Sequence, residues 1–180
     1  MKNTILSMTL TLVIIAVVVS VAMSFVNGIT KPLIEANDAK KLNDSLAMVI
    51  DANEFPVLEE NEEYTIYKAI KDGEVVGFCV KNTSSGYGGD ITLLTGVDKD
   101  LKVTGVELLN HAETAGLGAN ASKPEFKEQY KGKAENVGVV KNSPKENDIV
   151  AISGATITSK AVTEGVNNAI ALVKEAGIDE

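Results

Sequence analysis

Arginine and tryptophan are absent from this chain of 180 residues, and cysteine and histidine occur once each, as Cys79 and His111. A lone cysteine excludes an intrachain disulfide framework, and together with one histidine it cannot furnish a zinc knuckle or an iron–sulfur cluster. All 17 basic residues are lysines, and 25 acidic residues outweigh them to give a formal net charge of −8. Such a surface repels polyanions, so a nucleic-acid partner is excluded. Aromatic residues make up only 4% of the chain, leaving few platforms for stacking bases or sugars, whereas the hydrophobic share of 44% is ordinary for a globular protein.

Charge is also missing locally. No charged side chain occurs from Asn3 to Thr30, and the apolar run Ile5 to Val26 is long enough to span a bilayer as a helix. A cleaved signal peptide is the competing reading, with Lys2 as its positive start and Ala22-Met23-Ser24 as a small-x-small site. The length of the apolar run favours an uncleaved anchor. Lys2 on one side and Lys31, Lys40 and Lys41 on the other do not fix an orientation, since flanking acids count little and long domains translocate largely regardless of charge. The chain thus divides into an anchor over residues 1–30, a juxtamembrane helix or linker over 31–52, and one domain over 53–180. Pro32 is expected to end the membrane helix, with a second helix from Leu33 to Ile50 carrying Ile34, Leu42, Leu46 and Ile50 at near-helical spacing.

Within the domain, Tyr64 to Ile70 and Glu74 to Lys81 flank Asp72-Gly73, a pair suited to a type I′ hairpin turn. Asp90 to Val97 and Leu101 to Leu109 suggest a second hairpin, so four strands in two antiparallel pairs are expected. Ser122-Lys-Pro-Glu125 has capping-box spacing and predicts a short helix to about Tyr130. Ile149 to Ile152 predicts a short strand. A last helix is expected from Ser159 to Ala176, burying Val162, Val166, Ala169, Ile170 and Val173, with Gly177 as its stop. Hairpin strands with segregated helices indicate an α+β fold rather than a doubly wound parallel sheet.

Three stretches place small or hydroxyl residues where backbone can approach a ligand: Ser84 to Gly89 (SSGYGG), Glu113 to Gly118 (ETAGLG) and Ser153 to Ser159 (SGATITS). The first fails as a dinucleotide fingerprint, because Ile91 stands where the third glycine belongs and a strand follows. The third fails as a phosphate loop, since Ser159 replaces the second glycine and Ala161 the metal-binding hydroxyl. What remains is a strand, a turn with free N–H groups, clustered hydroxyls and a helix start, which suits a phosphate-bearing ligand. A Ser/Thr-capped helix that binds nothing is the alternative.

Residues Ala151 to Val162 resemble the flavinylation motif of the FMN-binding domain family. The order of SGYGGDI, ETAGLGA and SGATITS behind one membrane helix resembles the G subunits of Rnf complexes, relatives of the NqrC component of the sodium-pumping quinone reductase, across essentially the whole chain. The resemblance implies FMN joined by a phosphoester to Thr156, with Ser153, Gly154 and Ala155 before it and the Thr158 hydroxyl after it. Thr158 and Ser159 are otherwise suited to capping the last helix. Attachment implies a separate flavin transferase using FAD. Gly86, Tyr87, Gly88 and Gly89, with Glu113, Thr114, Gly116, Leu117 and Gly118, are candidates for the ring pocket, the glycines permitting close approach. Glu113 beside a flavin would disfavour its anionic reduced form. His111 is either a donor to the ring or an ordinary surface histidine, and Cys79 is expected in the core. Two departures from the family pattern stand at Val150, where many members have Asp, and at Ala115, where many have Pro.

The resemblance implies an electron-carrying subunit that, with other integral membrane and redox subunits, couples ferredoxin-to-NAD electron flow to ion movement. The anchor would lie in membrane lipid and the flavin domain outside the cytoplasmic membrane. The alternative is an anchored stand-alone flavin reductase or binding protein, disfavoured by the lack of a separate substrate site or proton-donor pair.

Overall fold

A computed structural model describes residues 2–177. The first element, α1, is one helix of 48 residues, Lys2–Val49, with Pro32 inside it. The expected break at Pro32 does not occur. A proline deletes one backbone hydrogen bond and crowds the carbonyl four residues earlier, which here belongs to Gly28, while the ladder on both sides stays intact. Over its most apolar window this helix has a mean hydropathy of 2.6, enough in length and composition to cross a membrane. Its large apolar side chains from Met8 to Ile34 are exposed.

Two compact units divide the chain, residues 1–41 and 42–180. The second unit is built on a sheet of five strands in the order β1-β2-β3-β4-β5, each pair antiparallel. These are β1 Val57–Glu60, β2 Tyr64–Lys71, β3 Glu74–Ser85, β4 Asp90–Asp98 and β5 Val103–Asn110. The α+β expectation holds, but the two hairpins are joined through β3 and β4 into one meander, and β1 was not foreseen. Asp72 and Gly73 take φ values of 53° and 86°, as a type I′ turn requires. Leu101 adopts φ 60° in the second turn, so β5 begins at Val103 instead of Leu101.

The strand period of two sorts side chains onto the two faces. Phe78, Val80, Ile91, Leu93 and Val97 meet the last helix, α3 (Thr156–Glu175), through its buried Val162, Val166, Ala169, Ile170 and Val173, as its periodicity predicts. Cys79 and Leu94 point the other way and pack with Leu46 and Val49 from the end of α1 and with Ile50 just after it. Burial pushes the Cys79 thiol up to about 12, which fits a small core residue. Gly177 closes α3 with φ 74°.

Between β5 and α3 the chain makes a short 3-10 turn at Gly118–Ser122, helix α2 at Pro124–Lys127 and another 3-10 turn at Glu128–Tyr130. The capping box at Ser122 is not formed. The Ser122 hydroxyl is hydrogen-bonded to His111 Nε2 at 2.9 Å, and α2 starts after Lys123 without a side-chain cap. A separate parallel pair, β6 Gly138–Val140 with β7 Asp148–Val150, delivers the chain to α3. Here β7 is the expected short strand, ending two residues early, and β6 was not foreseen.

Candidate functional site

After β7 the chain turns through Ser153 and Gly154, and Gly154 takes φ 76°, a conformation that glycine adopts without strain. The turn is closed by Ala155 N–H donating to the Ile152 carbonyl at 3.0 Å. One hydroxyl ties it to the helix: Ser159 Oγ accepts from Ile152 N–H at 3.0 Å and donates to the Ala155 carbonyl at 2.9 Å. Helix α3 therefore starts at Thr156, three residues earlier than expected, and Ala155 is its N-cap, with no side-chain cap bond. The capping role expected of Thr158 and Ser159 is corrected accordingly. Both lie inside the first turns, fully buried, with their hydroxyls engaged elsewhere.

Four hydroxyls in this stretch thus differ sharply in access. Thr158 and Ser159 are sealed at 1% and 0% exposure. Ser153 is exposed and Thr156 half-buried, and neither hydroxyl has a hydrogen-bond partner among the described residues. Thr156 also stands where the first N–H groups of an uncapped helix point outward.

The carboxylate of Glu113 joins the three motifs. Its Oε1 accepts from the N–H groups of Tyr87 at 2.8 Å and Gly88 at 3.1 Å, and its Oε2 accepts from Thr158 Oγ1 at 2.7 Å. Burial alone would raise the Glu113 pKa. The bonds from Thr158, Gly88 and Tyr87, with His111 nearby, outweigh it and hold the carboxyl below its usual range. His111 is part of the same frame, its Nδ1 accepting from Glu113 N–H at 3.3 Å.

Glycines are required around this carboxylate. A Cβ on Gly118 would fall well inside contact distance of Glu113 Oε2 and 2.7 Å from Thr158 Oγ1, and one on Gly86 would collide with Glu113 Oε1 and lie 2.7 Å from Ile91 Cδ1. Glu113 itself approaches closely at Gly86 and Gly118.

A cavity of about 800 Å³ opens beside this frame. Of the residues singled out in the sequence, Tyr87, Glu113, Thr114, Leu117, Gly118, Ser153, Gly154, Ala155, Thr156 and Thr158 line it. Gly86, Gly88, Gly89 and Gly116 are not among the lining residues. Six further residues line it that the sequence does not mark as site residues: Lys141, Asn142, Val150, Ala151, Ile152 and Ile157. The last four lie in or beside the recognised motif, but Lys141 and Asn142 come from the β6–β7 connection, a Lys-Asn-Ser-Pro stretch with only the look of a turn. Tyr87, Leu117 and Ile157 are large, exposed and grouped on this cavity. At the departure from the family pattern, the Val150 backbone is held by Gln129, whose Oε1 accepts from Val150 N–H at 2.8 Å.

The chain matches two family models, an FMN-binding domain over residues 86–171 and an RnfG N-terminal region over residues 1–49. It is 37% identical over 171 residues to the G subunit of the proton-translocating ferredoxin:NAD(+) oxidoreductase complex of Clostridium ljungdahlii, covering 94% of this chain and 91% of that relative. It is 44% identical over 124 residues to the Na(+)-translocating counterpart of Acetobacterium woodii, covering 66% of this chain and 59% of that protein. Among solved structures, the C subunit of the Na(+)-translocating NADH-quinone reductase from Parabacteroides distasonis superposes with a TM-score of 0.55 at 29% identity, covering 65% of this chain and 63% of that one. The agreement in sequence, in the order of the motifs and in fold has one meaning: the chain belongs to the family of G subunits of ion-translocating ferredoxin:NAD(+) oxidoreductase complexes, and its globular part carries the FMN-binding domain.

Proposed function

We propose that this chain is the flavin-carrying electron-transfer subunit of a membrane-bound, ion-translocating ferredoxin:NAD oxidoreductase complex, with FMN esterified to Thr156. In this reading residues 1–30 anchor the chain in lipid, residues 31–52 link, and residues 53–180 hold the flavin outside the cytoplasmic membrane beside the other membrane and redox subunits. The cavity fits such a cofactor. Its volume of about 800 Å³ lies in the range of small-molecule sites. Tyr87, Leu117 and Ile157 offer an apolar collar to a flat ring, and the start of α3 offers N–H groups to a phosphate. Bound FMN supplies one- and two-electron chemistry, and the protein supplies position and shielding.

The observation that carries the acceptor assignment is access combined with place in the helix. Of the hydroxyls in the motif, Thr158 and Ser159 are sealed and bonded, while Ser153 and Thr156 both line the cavity unpartnered, and of these two only Thr156 stands at the first position of α3, where N–H groups can meet a phosphate. In attachment, Thr156 Oγ1 forms the new bond to phosphorus, the pyrophosphate bond of FAD breaks, AMP leaves, and the hydroxyl proton passes to the transferase or to water. Ser159 and Glu113 hold the turn and the helix start in place throughout.

Peptide mass spectrometry of the chain matured with a flavin transferase should place one FMN on Thr156. Thr156→Ala should abolish flavin fluorescence in a denaturing gel and leave the fold intact, since a hydroxyl without a partner is rarely worth more than about 0.5 kcal/mol. Ser153→Ala and Thr158→Ala should weaken attachment and leave some. Flavin retained by Thr156→Ala, or found on Ser153 or Thr158, overturns the assignment.

A further inference from the structure

The β6–β7 connection contributes a charge to the cavity that neither the three motifs nor the acceptor assignment uses. Register places it. In the parallel pair Val140 lies opposite Val150, and the Val140 carbonyl accepts from Ala151 N–H at 2.8 Å, so Lys141 stands beside Ala151, two residues before Ser153. Lys141 is exposed, lines the same cavity as Thr156, and makes no hydrogen bond or ion pair among the described residues.

Glu113 is the sole carboxylate among the residues lining that cavity, and both its oxygens are engaged by Tyr87, Gly88 and Thr158. The Lys141 ammonium is therefore the one formal charge on the wall left without a partner. Lys160, one turn along α3 from Thr156, is exposed but does not line the cavity. In a chain of net charge −8, an unpartnered lysine on the same cavity as the start of an uncapped helix adds to the positive charge available there.

We infer that Lys141 is the counter-cation of the phosphoryl group carried on Thr156, holding the phosphate of the incoming flavin nucleotide during attachment and the phosphodiester afterwards. This rests on the reading of Thr156 as acceptor. A phosphodiester keeps one negative charge and two free acceptor oxygens. Lysine meets it as a flexible point charge. The flavin ring lies at the other end of the cofactor, so Lys141 sets attachment and leaves the redox potential alone.

The test uses the full chain in detergent, matured with a flavin transferase and FAD, comparing wild type, Lys141→Gln, Lys141→Arg and Lys160→Gln. Intact mass gives the fraction carrying FMN against time. Lys141→Gln should slow attachment about fivefold, the scale of one partly screened charge pair, with Lys141→Arg near wild type and Lys160→Gln unchanged. In the esterified protein the phosphorus NMR resonance should move in Lys141→Gln and return in Lys141→Arg, a signature that mere contact with the transferase would not produce. The flavin midpoint potential should not move. Equal attachment rates with an unmoved resonance overturn the inference and leave the acceptor reading standing. A shifted potential with normal attachment overturns it by placing Lys141 against the ring. Wild type without FMN on Thr156 overturns both.

Discussion

Replacing Glu113 by alanine removes the one side chain that bonds all three motif segments, and the structure sets the size of the effect. Three hydrogen bonds are lost, to Tyr87 N–H, Gly88 N–H and Thr158 Oγ1. Bonds to a charged group contribute about 1.5–3 kcal/mol each, yet water can replace the carboxylate at the exposed Tyr87 and Gly88. The Thr158 hydroxyl is different, because at 1% exposure it has no access to water, and orphaning such a group costs about 1–3 kcal/mol. A loss of about 2 kcal/mol is expected, or roughly 4–8 °C in Tm for a domain of this size. The sign with pH follows from the depressed pKa of Glu113. Its contribution is complete above the ordinary carboxyl value near 4.5 and is lost as pH falls through the lower folded value. Thermal melts followed by circular dichroism should thus show a wild-type advantage that is constant from neutral pH down to about 5 and shrinks in stronger acid. Adding Thr158→Val should cost little more once Glu113 is gone, a coupling of about 1 kcal/mol in a double-mutant cycle. Equal melting temperatures at neutral pH, an advantage that grows with acid, or strict additivity would refute the reasoning.

Gly118→Ala should reproduce much of the Glu113→Ala defect, because the added Cβ takes the space of Glu113 Oε2; a melting curve and attachment yield matching wild type would count against it. Cys79, fully buried with its thiol pushed up to about 12, should resist alkylation in the folded chain and react on unfolding, so rapid labelling at neutral pH would contradict its place in the core. The chain should stay with membranes through high-salt and carbonate washes, and a reporter fused after Glu180 should respond on the extracytoplasmic side; a soluble product beginning near Phe25, or a reporter active only in the cytoplasm, would refute the anchor or its orientation.

Much of the domain was legible because its signals are local. Asp72-Gly73 demands positive φ at adjacent residues, and the buried face of α3 repeats within a single element, so short windows sufficed. The strands β1 and β6 are four and three residues long and carry no alternation of buried and exposed positions, so periodicity had nothing to register. The capping box failed for a tertiary reason, since Ser122 is taken by His111, eleven residues away. Pro32 carries a local signal for a helix end, and the helix that continues on both sides absorbs its cost. At the site, the motifs pointed to the right stretches but not to what joins them. Glu113 meets its partners 25, 26 and 45 residues away, two of them through backbone N–H groups that any residue would provide. Lys141 reaches the cavity only through the parallel pairing of two strands of three residues each.

The Ser159 hydroxyl accepts from Ile152 N–H and donates to the Ala155 carbonyl, and this pair of hydrogen bonds bears on when a cofactor would arrive. A turn held by its own chain on both sides has its shape before any ligand is present, and the ordering entropy has been spent in folding. Under the proposed attachment to Thr156, a flavin transferase would meet a finished surface instead of a flexible tail, and would recognise the acceptor by its setting as much as by its sequence. A free peptide spanning β7 and the start of α3 lacks both Glu113 and the sheet beneath the helix, and so makes a poor substitute for the folded domain. In the proposed reading, loading with flavin therefore follows folding.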